Sequence, residues 1–335
     1  MVKIGKDIIF MYSENARVKI KELAALLNKS SQRIKYSLKA LEKEGIVYNP
    51  YCIFDYSYFG MLLFRVYFKG AFISEKDKAE IIKKLTENDY ITSVYELSGE
   101  FELVVEIQAP NPSRFNKVLK KISALIPTLR HYKIILNIVT HLYPPLYLTD
   151  NDALYASVPL QVIIGGDRDV ESFDSNEIVI MKKLLDNPKL RMTSLAKQSG
   201  INVKTAKAAM QNLRKRNIIK GFKFVTNAGK LGVHKFRLFL NLHNLSRERE
   251  EELMNYLLKI NEVVQVHKTV GDWDLEIDIE SLDKTKIRQI TLDMRENFKD
   301  IIETFNIMEF YNHYKKSYLP QYYFEQSISN KNKNL

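Results

Sequence analysis

The chain contains the stretch Gly99-Glu-Phe-Glu-Leu103, and 172 residues further on it contains the similar stretch Gly271-Asp-Trp-Asp-Leu275. The same offset relates many positions on both sides of this pair, and the alignment of the two copies needs no insertion across about 120 positions. One fixed offset with matched glycines and paired aromatic residues indicates an internal repeat. The sequence therefore predicts two copies of one module, with further matches at Leu23-Ala24 and Leu195-Ala196, Gly60 and Gly232, Phe64-Arg65 and Phe236-Arg237, and His141 and His313.

The repeat divides the 335 residues into six segments. Each copy has a helical part followed by a part that alternates strands and helices. The apolar stretch 158–164 between the copies is expected to dock on the folded modules. The predicted boundaries are 1–57 and 175–229 for the helical parts, 58–148 and 230–322 for the mixed parts, 149–174 for the linker, and 323–335 for a tail.

Composition excludes several classes of protein. Cys52 is the only cysteine, which argues against a disulfide framework and against a multi-cysteine zinc module. No apolar stretch reaches the roughly 18 residues of a membrane span, and the N-terminus lacks a signal segment, so a cytoplasmic location without a membrane partner is expected. The formal net charge of +11 favours a polyanionic partner, although abundant lysine alone produces the same surplus.

The helical parts carry the signature of a helix-turn-helix. In the first copy, apolar residues recur at helical spacing from Ile20 to Leu27, Asn28 ends that helix, and Ser30 or Ser31 caps the next one. In the second copy, Gly200 and Asn202 take these places. Two helices joined by a turn of three or four residues are typical of DNA-binding helix-turn-helix units. The apolar segments after the third helix, 46–48 with 51–54 and 218–219 with 222–225, indicate a hairpin wing.

The third helix of each copy is predicted to expose polar and basic residues. When its apolar residues point inward, the outward residues are ones that contact phosphates or base edges. The alternative is an ordinary solvated helix face used for protein contacts. The predicted DNA-binding residues are Ser31, Gln32, Arg33, Lys35, Tyr36, Lys39 and Lys43 in the first copy, and Lys204, Thr205, Lys207, Ala208, Gln211 and Lys215 in the second.

Positive charge is concentrated around these helices. The segment 189–216 has eight basic residues and no acidic one, and 17–44 has eight basic residues and three acidic ones. Together these segments exceed the net charge of the whole chain, so the rest is slightly acidic. The excess lies where a helix that reads a DNA groove needs it.

The mixed part of each copy predicts the element order βαββαβ, which is the ferredoxin-like arrangement. In the first copy the strands are expected at 61–70, 91–98, 101–109 and 132–143, with helices at 74–86 and 112–126. A four-stranded sheet with both helices on one face leaves its other face uncovered. We therefore expect an α+β protein in which the two sheets pack as a pseudo-twofold pair within one chain.

A helix-turn-helix with a wing, followed by a βαββαβ domain with a Gly-x-aromatic-acid turn, resembles the Lrp/AsnC family of transcription regulators. The resemblance covers nearly the whole chain, twice, and the βαββαβ unit corresponds to the ligand-sensing RAM domain of that family. It implies double-stranded DNA as the partner, homo-oligomers formed through RAM domains, and an amino acid or other small effector near the turn. The implied effector residues are Gly99, Glu102, Gly271, Asp272 and Asp274, and their alternative role is a tight hairpin.

Two rival functions use the same architecture. Siroheme decarboxylases resemble this family and are also built from two such modules, sometimes fused. Those enzymes usually carry an arginine-rich stretch in the wing, where this chain has Tyr48-Asn-Pro-Tyr51 and Lys220-Gly-Phe-Lys223. The other rival is an effector-sensing scaffold that does not bind DNA. The expectation is a regulator rather than an enzyme, with no cofactor and with no metal site, because no cluster at ligand spacing accompanies His141 or His313.

Overall fold

The computed structural model describes residues 5–70, 74–126, 128–129, 131–244 and 246–325. The first copy contains α1 (Lys6–Glu14), α2 (Ile20–Leu26), α3 (Ser31–Lys43), β1 (Val47–Phe54), β2 (Leu62–Lys69), α4 (Glu75–Thr86), β3 (Ile91–Ser98), β4 (Leu103–Ala109), α5 (Pro112–Leu125) and β5 (His131–Leu142). The linker contains α6 (Asp152–Tyr155) and β6 (Val162–Gly165). The second copy contains α7 (Ser175–Asp186), α8 (Met192–Gln198), α9 (Val203–Lys215), β7 (Ile219–Thr226), α10 (Ala228–Leu231), β8 (His234–Leu242), α11 (Arg247–Leu258), β9 (Val263–Val270), β10 (Leu275–Ser281), α12 (Lys284–Asn297) and β11 (Ile302–Lys316).

The helix-turn-helix units begin and end where the sequence indicates. Ser30 caps α3, because its hydroxyl accepts a hydrogen bond from the backbone N–H of Arg33 at 3.2 Å. Asn202 caps α9 in the same way through the N–H of Thr205 at 2.8 Å. Asn28 and Gly200 have the left-handed backbone expected at the turns, with φ of 50° and 67°. Both predicted turns and both caps are confirmed.

The predicted hairpin wing is wrong within each copy, because each copy contributes a single strand. β1 pairs antiparallel with β7 and forms a two-stranded sheet that joins the two helix-turn-helix units. The Asn49-Pro50 dipeptide looks like a turn in the sequence. Asn49 does adopt a positive φ of 41°, but the chain continues through an irregularity between Tyr48 and Tyr51 and does not reverse.

The two βαββαβ units are confirmed, and their sheets join more closely than the sequence predicts. The strand order is β2-β4-β3-β11-β8-β10-β9-β5, and β5 pairs back onto β2. All these pairings are antiparallel. Because β5 pairs with β9 on one side and with β2 on the other, the eight strands close into a barrel. The joins β3–β11 and β5–β9 are related by the internal repeat, and the pseudo-twofold pair therefore shares edges as well as inner faces.

Apolar side chains on the outer face of the barrel pack beneath the helices. Phe64, Val66 and Phe68 of β2 meet residues of α4 and α5, and the ring of Phe64 stacks on Phe115 at 4.0 Å between centroids. Leu238 and Leu240 of β8 have the same role under α11 and α12. Burial of these faces fixes which side of each strand points into the barrel, because successive side chains alternate between faces.

The linker and the chain end are packed against the modules. As expected, the apolar linker segment docks: β6 pairs with residues 139–142 of β5, just beyond the start of β2. At the other end of the chain, Tyr323 is half-buried and Phe324 is fully buried, so the predicted tail begins with packed residues. Residues 326–335 of that tail lie outside the described residues.

Candidate nucleic-acid interface

The predicted DNA-reading residues form one exposed face on α3 and one on α9. All are exposed except Thr205, which is half-buried, and Tyr36 is 65% exposed despite its size. The opposite face of α3 is buried at Ile34, Leu38 and Leu41. Helical periodicity thus separates a core face from a solvent face, and the structure brings the predicted residues of each copy together.

The basic residues on these two faces have no acidic partners within the part of the chain that the structure describes. A basic group already paired with a carboxylate contributes less to phosphate binding, because the salt bridge must first be broken. Seven side chains therefore present unneutralised positive charge, namely Arg33, Lys35, Lys39 and Lys43 on α3, and Lys204, Lys207 and Lys215 on α9.

Nearby charges are paired away from the two faces. Glu42, an acidic residue of α3, accepts hydrogen bonds from Lys189 of the other helix-turn-helix unit at 2.7 and 2.8 Å and from the hydroxyl of Tyr12 at 2.5 Å. Arg216, just after α9, forms ion pairs with Glu171 and Glu177. The repulsion that Glu42 would exert on a phosphate is thereby reduced, and Arg216 has a structural role.

The β1–β7 sheet relates the two recognition helices by a local twofold axis. Val47 pairs with Thr226 and Phe54 with Ile219, so corresponding residues of the two copies exchange places across the sheet. Each of these strands follows its recognition helix after three residues or fewer. The helices α3 and α9 therefore occupy symmetry-related positions, as two such helices need in order to reach two half-sites.

Asp55 anchors this pair of units to the barrel. Its carboxylate is fully buried and accepts hydrogen bonds from the N–H of Gly165 at 2.9 Å and from the hydroxyl of Ser57 at 2.7 Å. Arg168 and Lys220 approach it at 3.2 and 3.5 Å. One side chain of the first copy thus contacts the linker and β7 of the second copy, and Asn227 stands at the matching position of that copy.

Sequence reasoning missed a charged cluster inside the barrel. Arg65 forms ion pairs with Glu106 at 2.9 Å and Glu276 at 2.6 Å, and Arg237 binds Asp278 through two hydrogen bonds of 2.6 and 2.8 Å. Alternating charged residues such as Glu276 and Asp278 are typical of a strand with one face in solvent, but here both side chains point into the closed barrel. The sequence did contain a signal for this cluster, because Arg65 and Arg237 are 172 residues apart and each lies within an apolar strand.

The cluster shifts the pKa values of its members. Burial, together with the neighbouring Arg65, lowers the pKa of His267 to about 3, so this ring is neutral at pH 7. Although burial opposes the change, Lys316 and Arg65 lower the pKa of Glu106 to about 2. Arg237 likewise holds the pKa of Asp278 well below its usual range against the effect of burial. Glu106 and Asp278 are therefore ionised and paired with cations.

The turn residues implied by the family resemblance have structural partners. Asp274 accepts a hydrogen bond from the N–H of Leu242 at 2.7 Å, and the backbone carbonyl of Asp272 accepts one from Asn241 at 2.6 Å. Gly99 and Gly271 both have positive φ, and Glu102 pairs with β2 through its backbone N–H. These contacts support the hairpin role, and effector binding at the turns stays a prediction.

We expect Gly271→Ala to lower the free energy of unfolding by about 1–3 kcal/mol more than Gly166→Ala. Both glycines have a positive φ, of 146° and 88°. An added Cβ at Gly271 would lie 2.9 Å from Ile135 and 3.1 Å from the carbonyl of Ile134, whereas at Gly166 it meets nothing within 4 Å. Urea unfolding of both variants measures the difference, and equal losses would contradict the close approach.

Two other features of the described residues concern ligands and membranes. No group of three His, Cys, Asp or Glu side chains is arranged to hold a metal ion in the described ranges. Within those same ranges, the helices are all too short or too polar to span a bilayer.

Comparison with known proteins agrees with this architecture. Residues 1–48 match the family model described as winged helix-turn-helix DNA-binding. The chain is a tandem duplication of a helix-turn-helix unit followed by a ferredoxin-like βαββαβ domain.

Two similar regulators each align with about a third of this chain. An uncharacterized HTH-type transcriptional regulator of Pyrococcus horikoshii, PH0061, is 29% identical over 108 residues, which are 32% of this chain and 72% of that protein. The HTH-type transcriptional regulator Ptr1 of Methanocaldococcus jannaschii is 28% identical over 116 residues, 33% of this chain and 77% of that protein. The crystal structure of the siroheme decarboxylase NirDL covers 98% of both chains with a TM-score of 0.57 and 13% identity, which shows a shared fold.

Proposed function

We propose that the chain is a sequence-specific, double-stranded DNA-binding transcription regulator. The observation that carries the proposal is the pair of exposed recognition faces on α3 and α9, whose seven basic side chains are unpaired in the described structure. The match of residues 1–48 to a winged helix-turn-helix DNA-binding model and the names of the relatives support it. In this proposal α3 and α9 enter successive major grooves on one side of the duplex.

The two recognition faces differ, so the preferred operator is an imperfect palindrome. Gln32, Arg33 and Tyr36 on α3 correspond to Lys204, Thr205 and Ala208 on α9. Arginine reads guanine and glutamine reads adenine, whereas alanine and the threonine methyl group contact the methyl group of thymine. A homodimer presents identical faces, but a fused chain reads two different half-sites in a fixed orientation.

We expect Arg33→Ala and Lys204→Ala each to weaken operator binding by about 1–3 kcal/mol if the side chain contacts bases. The loss for Arg33→Ala should depend on the base pair in its half-site. A lysine that contacts only phosphate should instead weaken binding to all sequences and reduce the salt dependence. Fluorescence titration with duplexes selected from random DNA at physiological salt measures both effects.

Lys76→Ala is the matched control, because Lys76 is exposed on α4 of the barrel and far along the chain from both recognition helices. It removes the same charge from the protein without touching the proposed interface. An Arg33→Ala/Lys204→Ala double variant that binds as tightly as the unchanged protein would refute this assignment of the interface.

Siroheme decarboxylation is the rival function to be tested, because the whole chain is similar in fold to a siroheme decarboxylase. That likeness is at 13% identity and concerns the fold. We expect no stable shifted absorbance band when the chain is incubated with siroheme, and such a band would favour the enzyme. The proposal also includes response to a small effector and assembly of chains through their RAM domains. Neither is needed for α3 and α9 to bind DNA.

A further inference from the structure

A cavity of about 100 Å³ lies between the helix-turn-helix layer and one end of the barrel. Its upper wall comes from α1, β1 and β7, and its lower wall comes mainly from β8, β10 and β11. A cavity of roughly 150 Å³ holds a benzene molecule, so this one has room for about four or five non-hydrogen atoms. A molecule bound here would touch both layers at once.

Three polar groups on the cavity wall lack hydrogen-bond partners within the described residues. They are the ammonium of Lys316, the hydroxyl of Tyr51 and the ring of His313. The side chain of Lys316 is 12% exposed, and its nearest carboxylate oxygen, on Glu106, is 4.0 Å away. Ammonium and hydroxyl groups donate hydrogen bonds, and a neutral imidazole offers one N–H, so the three together suit an acceptor such as a carboxylate.

The other charges of the cavity are already paired. Lys223 binds Glu14 at 2.6 Å, and Lys235 binds Glu280 at 2.7 Å. Glu280 also accepts a hydrogen bond from Tyr147 at 2.6 Å. Asp278, also on the cavity wall, is bound by Arg237 at 2.6 and 2.8 Å. Lys316 has only the longer contact with Glu106, a carboxylate that already binds Arg65 at 2.9 Å. The ammonium of Lys316 therefore keeps its hydrogen-bond donors free, and a buried cation with free donors favours binding of an anionic group.

The first copy does not repeat this arrangement. Pro144 stands at the position equivalent to Lys316, and Leu63 at the position equivalent to Lys235. The equivalent of His313 is His141, whose ring nitrogen lies 2.8 Å from the side-chain amide of Gln161. The two copies have diverged here, and the donor set belongs to one side of the pseudo-twofold axis.

We propose that this cavity binds a short-chain carboxylate, one molecule per chain, held by Lys316, Tyr51 and His313. Tyr51 belongs to β1, which pairs the two helix-turn-helix units, whereas Lys316 and His313 belong to β11 of the barrel. The carboxylate therefore bridges the DNA-binding layer and the barrel, and its binding changes DNA affinity. This regulatory part rests on the proposed function, but binding of the carboxylate does not.

Saturation-transfer NMR on the full chain without DNA tests the site directly, with acetate, glycine and methylammonium as separate probes. Binding of acetate and glycine, but not of methylammonium, supports a carboxylate site. Acetate alone supports a site for a simple anion, and glycine alone supports one for a zwitterion. Binding of methylammonium alone, or of no probe, overturns the proposal and leaves a cavity that holds water only.

Matched variants locate the binding. We expect Tyr51→Phe to weaken acetate or glycine binding about fivefold, and Lys316→Met to weaken it more than tenfold. Tyr318→Phe is the control, since its ring stacks on Tyr51 at 5.7 Å but does not line the cavity. Equal binding by Tyr51→Phe and Tyr318→Phe would overturn the site.

A second pair of variants tests the same site in case the first pair does not fold. His313→Gln should weaken probe binding, and His141→Gln, at the equivalent position of the first copy, should not. Thermal unfolding of each variant shows whether it is folded. If the probes bind as proposed but no DNA sequence is bound, the proposed function fails and the carboxylate site stands. If DNA is bound but no probe is, the carboxylate site fails and the proposed function stands.

Discussion

Arg237→Met is expected to lower the free energy of unfolding by about 3–5 kcal/mol, since it leaves buried acidic groups without their partner. Arg237 donates two hydrogen bonds to Asp278, and one each to the hydroxyls of Tyr67 and Tyr95, at 2.8 and 2.6 Å. The two tyrosines belong to the first copy and Asp278 to the second. The substitution therefore removes a link between the copies as well as a countercharge.

Urea unfolding measures this loss against a surface control. Arg249→Met removes an arginine that pairs with Asp300 at 2.6 Å, and both of those side chains are partly exposed. Solvent screens an exposed pair, so this control should change the free energy of unfolding far less than Arg237→Met does. The double variant Arg237→Met/Asp278→Leu should recover part of the loss, because neither charge is then buried alone. A single-variant loss below about 1 kcal/mol would contradict the structural role of the cluster.

Acidification from pH 7 to pH 5 is expected to lower the free energy of unfolding by up to about 4 kcal/mol through His267 and His313. Burial lowers the pKa of each ring to about 3 in the folded chain. The ordinary histidine pKa of about 6.5 applies after unfolding, so the unfolded chain binds more protons between these values. Stability therefore rises with pH through this window and is lost as the pH falls.

Charges around the two rings determine the rest of the acid response. Arg65 lies 2.8 Å from His267 and disfavours its protonation, and Lys316 and Lys235 act in the same way on His313. Below about pH 4, protonation of Glu106 adds a further loss, because its folded pKa of about 2 is depressed. Burial raises the pKa of Glu14, which has the opposite effect.

Denaturant titrations at pH 5, 6 and 7 test this dependence. The double variant His267→Gln/His313→Gln should show a much flatter change of unfolding free energy with pH, whatever its stability at pH 7. His141, whose pKa burial lowers to about 4, keeps its own share of the pH dependence in that variant. A variant that keeps the original slope would show that the two rings do not carry the acid response.

Local signals in the sequence identified the long helices of both copies and the exposed faces of α3 and α9. Helical spacing at Ile34, Leu38 and Leu41 determines which side of α3 is buried, and therefore which side is exposed. Capping by Ser30 and Asn202 involves residues three positions apart, so it is visible in the sequence. The 172-residue offset then extended each inference from one copy to the other.

The pairings between copies could not be predicted, because they join residues far apart in the chain. Nothing local to β1 shows that its partner is β7, so a hairpin was the natural inference from two apolar segments around Asn49-Pro50. Closure of the barrel by β3–β11 and β5–β9 was missed for the same reason. A strand that alternates apolar and charged residues usually has one solvent-exposed face, but closure of the barrel buries the charged face here.

The covalent join between the copies has a consequence for assembly at high dilution. A regulator made of two identical chains dissociates when its concentration falls below the dissociation constant of the dimer, and its affinity for DNA then decreases. Here β6 of the linker is itself hydrogen-bonded to β5, so the partner is held in place by the same polypeptide. The two helix-turn-helix units should therefore stay paired even at very low protein concentration. Because each unit is encoded separately within one chain, each can carry its own substitutions.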